Sequence, residues 1–91
     1  MQFEWDDAKS ENNRQERGFG FDFAALIFEG PVIEWCDVRE AWGEPRIVAV
    51  GSADGILLAV VYTVRDDVRR IISARRARKK ERELWRSFAS P

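Results

Sequence analysis

The apolar positions of the chain follow two different periods, and the points where one gives way to the other mark its elements. Phe3, Glu4 and Trp5 alternate and predict a short strand, after which Asp6 is placed to cap a helix from Asp7 to about Arg17 that Gly18 ends. This helix is polar along most of its length, so Ala8 and a few aliphatic stems are all it has to bury, and it belongs on the outside. Phe21, Ala24, Ala25 and Phe28 then recur at helical spacing. Phe23, Leu26 and Ile27 widen the apolar arc until Gly30-Pro31 stops it, as expected of a core helix.

Val32 to Asp37 reads as a strand and residues 37–45 as a loop. Arg46 to Gly51 and Ile56 to Val64 are β-rich runs joined through Ser52-Ala53-Asp54-Gly55, a hairpin whose Asp-Gly tolerates positive φ. Asp66-Asp67 makes a second tight connection, to Val68 through Ser73, and connections this short force antiparallel neighbours. From about Ala74 the pattern turns helical. Ala77, Glu81, Leu84 and Phe88 fall on one side with Trp85 beside them, while Arg78, Lys79, Arg82 and Arg86 cover much of the rest. The expected fold is α+β in one domain over residues 1–91: N-terminal helices, an antiparallel β-meander of three to five strands and a C-terminal basic helix.

Charge divides this layout in two. Residues 65–91 hold ten Lys/Arg against four Asp/Glu, and residues 1–64 hold five against twelve, so a formal net charge of −1 conceals a basic C-terminal third. Such a surface is of the kind that meets phosphate. The chain has no histidine and one cysteine, Cys36, which excludes an intramolecular disulfide and a cysteine zinc cluster and removes the commonest general base. Neither a metal nor a cofactor is expected. The acidic N-terminus is unlike a signal peptide, and no apolar run approaches the roughly 20 residues of a spanning helix, so a cytoplasmic protein without a membrane partner is expected.

The candidate chemistry lies in arginines at strand ends. Arg46 opens one strand, Arg65 closes the next, and Arg69, Arg70 and Arg75 bracket the last. A two-residue turn at Asp66-Asp67 sets Arg65 opposite Val68 and Thr63 opposite Arg70. Thr63 and Arg70 then share one sheet face, and Tyr62, Arg69, Ser73 and Arg75 take the other, an assignment that a one-residue slip reverses. Exposed salt bridges to Asp66, Asp67, Glu81 and Glu44 are the alternative use of each arginine, worth about 0 to 1 kcal/mol apiece. For the group, local acids are too few, and phosphate binding is the better reading. Tyr62, Trp42 and Trp85 could add rings on which RNA bases stack, although core packing is the more common fate of a tryptophan.

With these residues in view, the chain resembles the BrnT family of bacterial type II toxins, small ribonucleases with a RelE-like fold. The pieces that carry the resemblance are Phe3-Glu4-Trp5-Asp6 with Lys9 and Asn13, and Gly18 with Phe21, Ala24, Phe28 and Pro31. They continue in Gly43-Glu44 with Arg46, Gly51, Asp54-Gly55 and Val60-Val61-Tyr62-Thr63 with Arg65, and end in Arg70 to Arg75 with Ala77, Glu81 and Arg82. The resemblance implies a toxin that cleaves RNA, is held inactive by a BrnA-like antitoxin, and meets operator DNA indirectly through that antitoxin. It maps the basic strand ends to Arg46, Arg65, Arg70 and Arg75, with Glu44 and Glu81 as matching acids. Where the family usually has Lys-His-Gly, this chain has Glu16-Arg17-Gly18. The expected catalytic set is therefore Arg46, Arg65 and Arg75 on the scissile phosphate with Glu44 or Glu81 as base, and Arg70, Arg76, Tyr62 and Trp85 are expected to bind RNA. A rival expectation is a member that has lost catalysis and serves as a partner-binding or nucleic-acid-binding module.

Overall fold

Asp6 does cap the first helix: its carboxylate accepts from the amides of Ala8 at 2.8 Å and Lys9 at 3.1 Å, and Gly18 closes the helix at φ 91°. In the computed structural model, which describes residues 2–37 and 45–89, the order is β1 (Gln2–Trp5), α1 (Asp7–Arg17), α2 (Phe21–Ala24), a 3₁₀ turn (Ala25–Glu29), β2 (Val32–Asp37), β3 (Arg46–Ala53), β4 (Ile56–Arg65), β5 (Val68–Arg76) and α3 (Lys79–Ala89). The expected loop at 37–45, with Trp42 and Glu44, lies largely outside the described residues.

One five-stranded sheet in the order β1-β5-β4-β3-β2 carries the fold. Strands β2 to β5 form the expected antiparallel meander, but β1 pairs with β5 in parallel, Gln2 opposite Val68 through Trp5 opposite Ile71, so the sheet is mixed. The N-terminal strand is too far along the chain from β5 for a tight turn to set its direction. It takes the free edge of β5 instead and buries Phe3 and Trp5 against the core.

Both hairpins turn in two residues. Ala53 pairs with Ile56 across Asp54-Gly55 (φ 50° and 84°), and Arg65 pairs with Val68 across Asp66-Asp67 (φ 51° and 67°). Positive φ at both central positions is the turn that matches the twist of the strands, and aspartate tolerates it better than most residues.

Three expectations are corrected by the packing. Ala8 is exposed, and the buried residue of α1 is Asn13, whose Nδ2 donates to the Phe19 carbonyl at 2.9 Å while its Oδ1 accepts from Arg17 at 2.7 Å. A polar helix is thus held to its neighbour by hydrogen bonds. The second helix is α-helical for one turn and then tightens to 3₁₀, so the fully buried residues are Phe21, Ala24 and Ile27 at a spacing of three, the period of that tighter helix. Finally, β5 runs on to Arg76: Ala74 pairs with Val60 as a core residue, and α3 begins only at Lys79.

Helices cover both faces. Phe21, Ala24 and Ile27 pack on Ala49, Leu58, Val60, Tyr62, Ile71 and Ala74, while on the other face Trp85 packs on Val48, Val50, Ala59 and Ala77. Gly51 is where the 3₁₀ turn comes closest: a Cβ there would stand 2.8 Å from Val32 Cγ1 and 3.1 Å from Ile27 Cβ. Gly51→Ala should therefore destabilise by about 1–3 kcal/mol through overpacking. Asp67→Gly should stabilise by about 1 kcal/mol by relieving a left-handed side chain. Urea unfolding midpoints at unchanged slope check both.

Candidate nucleic-acid interface

The pairing of β4 with β5 contains one irregularity that decides which arginines share a face. Arg65, Val64, Thr63 and Tyr62 stand opposite Val68, Arg69, Arg70 and Ile71, and then the register steps so that Val61 meets Ser73, leaving Ile72 without an opposite. An extra residue of this kind, a β-bulge, reverses the alternation beyond it. Arg69 does share Tyr62's face, as expected, but Ser73 and Arg75 do not. They pass to the face that carries Arg65, Thr63 and Arg70, and the expected assignment of those two is corrected.

That face is also α3's. Arg75 reaches the helix and clasps Glu81 through two bonds, Nη1 to Oε1 at 2.7 Å and Nη2 to Oε2 at 2.9 Å. Glu81 Oε1 also accepts from the Arg78 amide at 2.7 Å, the backward half of a capping box at the start of α3. Arg75's hydrogen bonds hold the Glu81 carboxyl below the usual carboxylate range against the effect of burial, and Glu81 in turn raises Arg75. A groove of about 300 Å³ opens beside the pair, lined also by Trp35, Cys36, Asp37, Val48 and Arg78.

Further along the same face, one row of residues crosses all five strands. Asp37 stands opposite Arg46, one more step of the β3/β4 register brings Arg46 level with Thr63, Thr63 is opposite Arg70, and Arg70 is opposite Glu4. Two strand spacings separate Arg46 from Arg70, about 10 Å. Arg70 Nη1 donates to Glu4 Oε2 at 3.0 Å. Arg65 lies one row beyond, level with Val68 and Gln2.

The other expected site residues are elsewhere. Tyr62 is 3% exposed on the opposite face, edge-on to Phe28, with its hydroxyl donating to Glu34, so no base can stack on it. Burial and the Glu34 carboxylate push its phenol up to about 12, which also makes it a poor proton donor. The Arg69 guanidinium lies over the rings of Phe28 at 4.4 Å, Tyr62 at 5.3 Å and Phe3 at 5.8 Å. Its buried Nε has no acceptor among the described residues, and the rings around the guanidinium are a weaker substitute. Trp85 is half-buried and donates its indole N–H to the Pro31 carbonyl at 3.0 Å, pinning α3 to the sheet. Arg76 stands opposite Leu58 on the face turned away from Arg75, and Glu44 lies outside the described residues.

The family model for the ribonuclease toxin BrnT of type II toxin-antitoxin systems matches residues 5–81. The chain belongs to the BrnT family. Membership implies a ribonuclease toxin of a type II system with an antitoxin as its partner. A search of curated proteins finds no match. Among the described residues no helix is long and apolar enough to cross a membrane, and no group of metal-binding side chains occurs.

In this BrnT chain, Asp37, Trp35 and Arg78 also neighbour the arginine face, a placement that residue patterns alone do not mark. The one available signal was Asp37 at a strand end, which the antiparallel β2/β3 pairing carries to Arg46. Because Tyr62 is the single tyrosine, its titration can be followed without interference. Tyrosinate absorbance should rise with a midpoint near 12 rather than at the ordinary value near 10. Its folded pKa being raised, the stabilisation it gives is complete below about pH 10 and is lost as pH climbs toward 12, and Tyr62→Phe should remove that part of the pH dependence.

Proposed function

We propose that this chain is a ribonuclease that cleaves RNA through the RNA's own 2′-hydroxyl, without metal, on the α3 side of the sheet, and that its fold is RelE-like. The observation that carries the reading is the register step at Ile72, which gathers Arg75 onto the face of Arg46, Arg65 and Arg70. The 2′-oxygen attacks the adjacent phosphorus, the bond from phosphorus to the 5′-oxygen breaks, and a cyclic phosphate and a 5′-hydroxyl result. Arg46, Arg65 and Arg75 bind the phosphate and stabilise the charge that grows on it, the contribution that is usually largest in such sites. Arg70 holds a neighbouring phosphate.

Glu81 is the base of this mechanism, with Glu44 as the alternative. In the free protein Glu81 is a weak base because Arg75 occupies both of its oxygens. An RNA phosphate competes for Arg75, and a carboxylate released from its guanidinium recovers basicity where the 2′-hydroxyl proton must go. With Tyr62 buried, water protonates the leaving 5′-oxygen, consistent with a slow enzyme. The same clasp favours a second reading, in which Arg75 and Glu81 stay paired and the chain binds RNA or its partner without cutting.

The partner in this reading is a BrnA-like antitoxin that brings the pair to operator DNA, in the cytoplasm. Leu84 and Phe88, each 58% exposed, continue the flank of α3 that begins at Glu81, and Trp35 at 38% lines the groove below. These apolar side chains beside a basic face suit an acidic segment of the antitoxin with apolar anchors.

Purified chain in the presence of a chelator should cleave RNA, and Arg65→Ala or Arg75→Ala should lower kcat/KM by about a hundredfold, the scale of one lost transition-state donor. Equal activity in all three proteins would show the assignment wrong. Growth arrest on expressing the chain alone separates the two readings: arrest that Arg65→Ala abolishes supports the ribonuclease, and normal growth supports the binding module.

A further inference from the structure

At the end of the sheet remote from the Asp66-Asp67 turn, a second set of arginines has no acid among the described residues to answer it. Arg76, Arg82 and Arg86 line one cavity of about 320 Å³ against Gly55, Ile56 and Leu57 of the hairpin, and no carboxylate of the described residues lines it. Three arginines elsewhere have carboxylate partners, Arg14 in Glu11, Arg70 in Glu4 and Arg75 in Glu81. No carboxylate of the described residues pairs with Arg76, Arg82 or Arg86. Arg82 is half-buried, and its Nη1 donates to the Ala77 carbonyl at 2.6 Å, so one guanidinium of the three is held in place before any ligand arrives. Like charges gathered in a concavity raise the local potential, and a phosphate is the anion that answers several guanidiniums at once.

We propose that Arg76, Arg82 and Arg86 form a second phosphate-binding site, which takes the backbone of single-stranded RNA where it runs beyond the candidate cleavage face. This rests on the ribonuclease reading above and extends it. Arg75 and Arg76 are consecutive residues at the end of β5 that turn to opposite faces, and Arg75 Nη1 lies 3.3 Å from the Arg76 carbonyl. The two sets of arginines therefore meet around the end of one strand. From the level of Arg65 to that of Arg76, opposite Leu58, the sheet rises about 23 Å at roughly 3.3 Å per residue. Single-strand sites of about 4–16 nucleotides cover such a span. The recessed position of Arg82 suits a flexible strand entering a concavity better than a duplex, which is read by elements that project into its groove.

The test is equilibrium binding of 2′-O-methylated RNA, which cannot be cut through its 2′-oxygen, by the full chain. Oligomers of about 4 and about 16 nucleotides bracket the span. The wild type should bind the longer oligomer more tightly. The double variant Arg76→Gln/Arg86→Gln, at exposed positions where circular dichroism should show an intact fold, should lose about tenfold on the longer oligomer at low salt. It should also lower the slope of log affinity against log salt by about 1.4, two single-strand phosphate contacts. An unchanged slope and an unchanged gain with length would overturn the site. So would a loss seen on duplex DNA of the same length and absent on RNA. Arg65→Ala measured beside it keeps the two readings apart. If it weakens binding while the double variant does not, the cleavage face stands and this site falls; if neither weakens it, both fall.

Discussion

The arrangement of this molecule's chemistry depends on one residue without an opposite. Ile72 is the extra residue of β5, and because side chains alternate along a strand, its insertion exchanges the faces of everything beyond it. On one side of the step, Ile71 is a core residue beside Tyr62; on the other, Ala74 can still be a core residue although three positions separate them. A regular strand could not bury both. The same step carries Arg75 out of the aromatic layer of Phe3, Phe28 and Tyr62, where Arg69 already sits, and delivers it to α3.

Electrostatics follow from the topology as much as from composition. The acidic first two thirds and basic last third of the chain are not kept apart in space, because parallel pairing of β1 with β5 sets Glu4 beside Arg70, and β2 beside β3 sets Asp37 level with Arg46. The central arginines of the face are thereby flanked by acids at both edges of the sheet. Charge-assisted pairs of this sort orient guanidiniums and exchange for a phosphate at modest net cost, since exposed pairs are individually weak. Arg75 and Glu81 are less exposed and doubly bonded, so that pair is the firmest hold on α3 beside Trp85.

Much of this was legible from residue patterns alone. Asp6, Gly18, Asp54-Gly55 and Asp66-Asp67 act through local backbone chemistry, and the helix ends and turns they mark were read correctly, as was the pairing of Thr63 with Arg70, although β3 runs two residues past the expected Gly51, to Ala53. What escaped was set by tertiary contact. The parallel seat of β1 depends on which edge is free, and the 3₁₀ turn of Ala25 to Glu29 lies close against Gly51 of a distant strand. The step at Ile72 has no local signature, since Ile71-Ile72-Ser73 reads as ordinary strand. For the same reason the candidate site was legible as a set of arginines but not as a face: Tyr62 and Arg76 were grouped with residues from which the sheet separates them.

Nuclear magnetic resonance of the guanidinium Nε–H groups during titration with uncleavable RNA tests the shared face most directly. The signals of Arg46, Arg65, Arg70 and Arg75 should move together while that of Arg69, enclosed by aromatic rings across the sheet, stays still. Movement of Arg69 with the other four unmoved would contradict it.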